Sequence, residues 1–299
     1  MDDLIIIKKN QENQVKTYSP TTTSTQLLHR ENGFEAIEDT MIKGTTGFIS
    51  SDGKGNYEFC YILSGNMEIN NGDKVLHLSA GDSYYYSDLN RNVPFRVIED
   101  TRLLSVSNNK IYDVIKNKQN KLIEILNDLQ LTDGDTLEHC KRVKSLCLGI
   151  AYCLHVDPIY YDDLFYASYF HDVGKAKIPS SILTKPGKLT EEEYEIMKMH
   201  SIYTYEMIKQ YCGEKVAEIA YQHHERLDGK GYPRGLKNNE IGILARIICC
   251  ADAYDAIVVT RPYHQGLSKN DALKELRRCV GTQFDQKVID ALEEHLSTI

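Results

Sequence analysis

The chain lacks several features that would send its interpretation elsewhere. No apolar run in its 299 residues approaches the roughly 20 needed to cross a bilayer, so no membrane span is expected. The first apolar stretch, Leu4-Ile5-Ile6-Ile7, is too short for a secretory leader and follows two acids, which reads as a cytoplasmic protein. There are eight cysteines but no Cys-x-x-Cys pair. Without a secretion signal, they read as buried reduced thiols rather than a disulfide framework. Positive charge is also not in excess: 35 Lys and Arg against 43 Asp and Glu leave a formal net charge of −8. That balance argues against long nucleic acid as a partner. It leaves open a small anionic nucleotide, provided metal ions supply the local positive charge. What is present, 41% hydrophobic and 26% charged residues over this length, suits a globular protein of two domains.

Residues 1–109 read as a β-rich module. Apolar and polar residues alternate over residues 57–69, 74–78 and 83–87. Asn70-Asn71-Gly72-Asp73 is a hairpin turn, because Asn and Gly tolerate positive φ, and Gly81-Asp82 marks another. Pro94 opens a last pair of strands, 95–98 and 103–106. Many short strands with such turns make a sandwich or a barrel. Glu58-Phe59-Cys60-Tyr61-Ile62-Leu63-Ser64-Gly65, then Ala80-Gly81-Asp82 and Pro94, resemble a small cupin barrel over residues 30–107. The resemblance fails where metal-binding cupins carry histidines. Residues 52–54 replace the expected pair, the later slot lies near Phe95, and His29 and His77 fall in neither. We therefore expect no metal in the barrel. A small ligand in its mouth, a partner contact or dimerisation are the roles left. Tyr84-Tyr85-Tyr86 either line such a pocket or alternate in and out.

Residues 110–131 read as a connecting helix. Ile111, Ile115, Leu122, Ile125, Leu126 and Leu129 form its apolar stripe, which serves either as a dimer seam or as packing on its own domain.

From residue 132 to 299 the period is helical throughout. His139 shares a stripe with Val143, Leu146, Ile150 and Leu154. His171 follows Leu164 and Ala167, with Gly174 as a stop. Thr190-Glu191-Glu192-Glu193 is a capping box opening the helix that carries His200. Val216, Ile219, Ala220 and His223 form another stripe beside His224, and Asp252 and Asp255 lie along a fifth with Leu244, Ile248, Ala251 and Val259. One histidine on an apolar face is ordinarily a hydrogen-bonded core residue. Five helices that each aim a His or Asp at such a face are harder to explain that way. Burying Asp172, Asp252 and Asp255 needs cations, and the Lys and Arg on those faces are too few to neutralise them all. A histidine–carboxylate set without sulfur favours iron or manganese ahead of zinc or nickel. The set exceeds the need of one ion, and Asp172 is the natural bridge of a pair that would activate water and clamp a phosphate oxygen.

His171-Asp172 with Val173-Gly174-Lys175, and His223-His224-Glu225 followed by Asp228-Gly229-Lys230-Gly231-Tyr232-Pro233, resemble the HD-GYP subgroup of the HD phosphohydrolase superfamily. The resemblance runs from about residue 132 to the end and includes Met197-Lys198-Met199-His200, Arg261-Pro262-Tyr263 and Phe284-Asp285. It implies an all-helical bundle that hydrolyses cyclic di-GMP to linear pGpG or GMP. The alternatives are cyclic GMP–AMP or another nucleotide as substrate, or a non-catalytic dinucleotide-binding effector. It implies metal ligands His139, His171, Asp172, His200, His223, His224 and Asp252, holding two divalent ions of iron or manganese. Asp135 stands where some members place a Glu for a third ion. Asp172 and Lys175 would carry catalysis, Lys175 at the scissile phosphate, with Asp255 orienting water or a ligand. Arg261, His264, Gly231 and Tyr232 would bind substrate, His264 replacing the usual Arg or Lys. The full expectation is an all-β cupin-like barrel that regulates or dimerises, a connecting helix, and an all-α phosphodiesterase bundle in a homodimer.

Overall fold

The computed structural model describes residues 16–18, 23–50, 55–72, 74–108, 120–260 and 265–299. The chain divides into two compact units, residues 1–118 and 119–299. The first is all β and cupin-like. Its strands are β1 (Lys16–Tyr18), β2 (Thr23–Glu31), β3 (Phe34–Met41), β4 (Thr46–Ile49), β5 (Tyr57–Ser64), β6 (Asn66–Asn70), β7 (Val75–Ser79), β8 (Ser83–Ser87), β9 (Val93–Val97) and β10 (Thr101–Ser107). They form two antiparallel sheets in the orders β1-β2-β3-β10-β5-β8 and β4-β9-β6-β7. The run expected as one strand over 57–69 is two, β5 and β6, in different sheets. The chain turns the barrel's corner at Gly65, where a Cβ would lie 2.3 Å from the Asp100 carbonyl oxygen, so no larger residue fits. The Asn-Gly hairpin forms as expected: Asn70 pairs with Val75, and Gly72 has φ +86°.

Met41, Ile62, Met67, Ile69, Val97 and Leu103 from both sheets close an apolar core. A second inward row is polar and closes on itself. Thr25 Oγ1 donates to Asp39 at 2.5 Å, Cys60 Sγ lies 3.4 Å from Ser105 Oγ, and the Tyr86 hydroxyl donates to Glu58. The tyrosine run is split by the strand alternation: Tyr84 packs against the core, whereas Tyr85 is 70% exposed and stacks on Tyr57.

The second unit is helical. It comprises α1 (Asn120–Asp133), α2 (Thr136–Cys153), α3 (Tyr161–Tyr169), α4 (Ser180–Leu183), α5 (Glu191–Cys212), α6 (Glu214–Tyr221), α7 (Ile243–Val258), α8 (Lys269–Arg278) and α9 (Gln286–Ser297). Of the expected connecting helix, residues 110–119 lie outside the described residues. From Asn120 it is helix, and Leu122, Leu126 and Leu129 are buried where α1 packs on α2 and on the 3-10 turn Val173–Lys177. α2 is the central helix, packed on α1, α3, α7 and α9. Ile150 on α2 and Leu164, Ile247, Ile248 and Leu292 on the helices packed against it are fully or almost fully buried, each contributing roughly 2 kcal/mol from apolar burial. The capping box forms: Glu193 N donates to Thr190 Oγ1 at 3.2 Å, and Thr190 N donates to Glu193 Oε2 at 2.8 Å. Gly174 is not a helix stop. α3 ends five residues earlier, and Gly174 sits inside the 3-10 turn, where its N–H donates to Thr204 Oγ1 of α5 at 2.9 Å. All eight cysteines are free thiols, five of them buried.

Candidate metal centre

His171 and His223 stand just past the C-terminal ends of α3 and α6, not on the helices as their stripes suggested. A helix end leaves carbonyls without partners, and both rings use them. His171 Nδ1 bonds to Ser168 O at 2.7 Å and His223 Nδ1 to Ala220 O at 2.6 Å. Within α5, His200 Nδ1 does the same to Met197 O at 2.7 Å. A carbonyl can only accept, so each Nδ1 carries the proton and each Nε2 presents a lone pair. These lone pairs converge. His200 Nε2 and His223 Nε2 lie 3.4 Å apart with no proton to share between them. His171 Nε2 is buried without a hydrogen-bond partner, although Asp172 Oδ2 is 3.5 Å away. Burial holds His200 and His223 at a pKa of about 4 and also lowers those of His171 and His224, so protonation does not relieve the conflict at neutral pH.

The acids complete two groups. Asp172, His200, His223 and His224 bring one ligand atom each to within 4.8 Å of one another, and His139, His171 and Asp252 do likewise. Asp172 joins them: its Oδ1 lies 3.4 Å from His200 Nε2, while its Oδ2 lies 3.6 Å from His139 Nε2. Burial opposes ionisation of Asp172, but Lys175 and the surrounding histidines hold its pKa well below the usual carboxylate range. His139 differs from the other histidines because carboxylates replace carbonyls around it. Its Nδ1 bonds to Asp255 at 2.7 Å and its Nε2 lies 3.2 Å from Asp252. Burial alone would lower its pKa, but those acids raise it to about 9. Facing lone pairs, an orphaned buried Nε2 and clustered carboxylates are the donor set of a cation site, and they fit divalent ions.

Other expected residues fall around this centre in different ways. Lys175 Nζ lies 2.6 Å from Asp172 Oδ2, at its edge. The Tyr232 ring packs 4.7 Å from that of His224 and 6.3 Å from that of His200. At Gly231 a Cβ would meet backbone atoms of Arg226 and His224 at 2.5 Å, so the loop lies flush on the histidine pair. Asp255 is only 2% exposed and has its oxygens on His139 and Arg142, behind the ligands. Asp135 is in neither ligand group; its carboxylate pairs with Arg142 at 3.1 Å. Arg261 and His264 lie outside the described residues.

Sequence reasoning missed two residues. Arg142 neutralises Asp255, which corrects the view of how charge is balanced: Lys175 answers Asp172, Arg142 answers Asp255, and Asp252 faces His139. Its position one turn after His139 was the available signal. Glu225 is 1% exposed and accepts from Arg234 N at 2.7 Å and Leu236 N at 2.9 Å, tying down the loop that carries Tyr232. Its place directly after the histidine pair could have marked it.

The sequence pattern of the HD domain family matches residues 114–288, and that of the EutQ-like cupin domain matches residues 38–93. Among curated proteins, the chain is 38% identical over 60% of its length to the "Cyclic di-GMP phosphodiesterase" of Thermotoga maritima. It is 29% identical over 92% of its length to the "3'3'-cGAMP-specific phosphodiesterase 2" of Vibrio cholerae. It is 35% identical over 64% to the "Cyclic di-GMP phosphodiesterase response regulator RpfG" of Xanthomonas campestris. These alignments cover 50%, 53% and 51% of the relatives, so the chain spans about half the length of the curated relatives it matches. The HD match takes in every described residue of the two ligand groups, and the chain belongs to the HD domain family.

Proposed function

We propose that this chain hydrolyses cyclic di-GMP to linear pGpG or GMP at a centre of two divalent ions, iron or manganese. The observation that carries this is the pair of ligand groups joined through the two oxygens of Asp172, with histidine lone pairs facing one another. Asp172, His200, His223 and His224 would hold one ion, and His139, His171 and Asp252, with Asp172 between, the other. Bound there, divalent ions supply Lewis acidity toward phosphate oxygens and lower the pKa of water. The chain does the rest. Ser168, Met197 and Ala220 carbonyls and Asp255 keep the rings aimed. Lys175 holds a proton at Nζ beside Asp172, where it can neutralise the phosphodiester and protonate the departing ribose oxygen. Tyr232 walls the histidine pair from the loop side, and Arg261 and His264 would take a phosphate or base.

The identity to a relative named as cGAMP-specific, over 92% of this chain, favours cyclic GMP–AMP as the second reading. Anaerobic purification, metal analysis and chromatography after incubation with each cyclic dinucleotide separate the two. Two ions per chain with pGpG or GMP appearing faster from cyclic di-GMP is the expected result. Faster turnover of cyclic GMP–AMP supports the second reading, and bound metal with neither substrate cleaved overturns both. We further propose a cytoplasmic location; no described helix is long and apolar enough to cross a membrane. The barrel would bind a small ligand or pair in a homodimer, for which exposed Tyr57, Tyr61, Leu63 and Tyr85 on β5 and β8 provide an apolar face. Light scattering of the full chain and its Tyr85→Glu variant tests the dimer.

A further inference from the structure

We propose that Arg142 is a positioning residue that aims His139 at the second ion, and that Asp135 is its counter-ion rather than a metal ligand. The inference rests on the metal centre proposed above. Asp255 is almost fully buried, and an isolated carboxylate there would be costly. Arg142 supplies the answering charge from the same helix as His139. Its Nε donates to Asp255 Oδ1 at 2.6 Å and its Nη2 to Oδ2 at 3.0 Å, a two-pronged grip that fixes the plane of the carboxylate. Asp255 Oδ2, so held, lies 2.7 Å from His139 Nδ1. The carboxylate can only accept there, which sets the proton on Nδ1 and turns Nε2 toward Asp252 and Asp172. Guanidinium, carboxylate and imidazole thus follow one another, with Nε2 of His139 turned to where the second ion would be held.

The same Nη2 reaches outward to Asp135, 3.1 Å to one oxygen and 3.5 Å to the other. The Asp135 side chain is 38% exposed and belongs to neither ligand group. It is shorter than a Glu by one methylene, and its charge is already answered on the guanidinium. A centre of two ions, not three, is therefore expected. The consequences for the two groups differ. Arg142 stands behind the group of His139, His171 and Asp252; its hydrogen bonds run to Asp255 and Asp135, and not to Asp172, His200, His223 or His224.

The test uses the full chain, stripped of metal and reloaded anaerobically with manganese. Ions per chain are counted after gel filtration, manganese affinity is read by titration, and folding is followed by circular dichroism and the melting temperature of the metal-free form. We expect two ions in the wild type. Arg142→Ala should keep the first ion and lose about 10–100-fold in affinity for the second. Arg142→Lys, which keeps charge but not the two-pronged grip, should restore part of that loss. Asp135→Asn should bind two ions within about threefold of wild-type affinity, because Arg142 still grips Asp255. If Arg142→Ala does not fold, Arg142→Lys carries the test, with a second ion weakened roughly tenfold. Wild-type affinity for both ions in a folded Arg142 variant overturns the positioning role. A third ion in the wild type that Asp135→Asn loses overturns the counter-ion assignment. A wild-type chain that retains no manganese overturns the metal centre itself and this inference with it.

Discussion

The two units each bury a polar cluster, and the clusters differ in whether they close. In the barrel, Thr25 serves Asp39, Tyr86 serves Glu58, and Cys60 and Ser105 serve each other, so within this cluster each of these donors has an acceptor. In the helical unit, acceptors meet acceptors: His200 Nε2 faces His223 Nε2, and His171 Nε2 has no partner. A cluster whose donors are met needs no ligand to satisfy them, although burial and the nearby Glu58 still disfavour the charge on Asp39. An open cluster made of lone pairs and carboxylates is tolerable only with cations, because unpaired buried acceptors carry the full desolvation penalty. Burial alone is therefore no guide to function; the mismatch between donors and acceptors is.

Substitution at the junction of the open cluster should have the largest effect. Asp172→Asn removes the bridge and the partner of Lys175, and we expect phosphodiesterase activity to fall by at least about a thousandfold, ~4 kcal/mol of barrier, with fewer ions retained. Product chromatography and metal analysis check this; an active variant with a full metal complement would break the comparison.

Acid should separate the two clusters next. In the metal-free protein His200 and His223 stay neutral down to a pKa of about 4, against 6.5 for an ordinary histidine. The unfolded chain takes up these protons first, so stability from this source is full above pH 6.5 and is lost as pH falls through 4. Each histidine accounts for up to about 3 kcal/mol. Asp39 works in the opposite direction. Burial raises its pKa from 3.8 to about 6, despite the Thr25 hydrogen bond, so its contribution is full below pH 3.8 and is lost as pH rises through 6. Melting of the metal-free chain across pH 4–8 should show the helical unit gaining from His139 as pH falls to 6.5 and weakening from His200 and His223 below it, while the barrel gains from Asp39 below pH 6. A helical unit indifferent to pH over that window would be evidence against neutral, facing imidazoles.

A sharper test of the closed cluster is Asp39→Asn. The amide oxygen still accepts from Thr25 but carries no charge, so the barrel should gain up to about 2–3 kcal/mol at pH 8 and little at pH 4. Denaturant unfolding at both pH values measures it, and a loss at pH 8 would mean the charge has a partner that matters. The smallest effect is expected at Glu225, a closed site inside the open unit. Glu225→Gln puts an amide NH2 against one of two backbone donors, which should cost roughly 1–2 kcal/mol and raise KM more than it lowers kcat. A change confined to kcat would place Glu225 nearer the chemistry than its loop-holding bonds imply.

Much of this was legible in the order of residues. Alternation over 57–107 gave strands, and the Asn-Gly turn fell where a positive φ was needed. The Thr190–Glu193 box opened α5, and the histidines and acids of both ligand groups could be named from their apolar surroundings. These are local patterns, set by side-chain period and backbone chirality over a few residues. The break at Gly65 was not legible, because it depends on the approach of Asp100 from the turn between β9 and β10. Nor was the placing of His171 and His223 beyond their helix ends, where a terminal carbonyl selects the tautomer.

The sequence by itself therefore determined the two kinds of unit, their elements and the chemical types gathered in the second. Only the tertiary structure decided how those types face one another. Whether Asp172 joins two groups, whether Asp135 points to a ligand or to Arg142, and whether Asp255 stands before or behind His139 are questions of a few ångströms between helices far apart in the chain. Such distances are set by how α2, α3, α5 and α7 pack, and a residue's own neighbours in sequence carry no record of them.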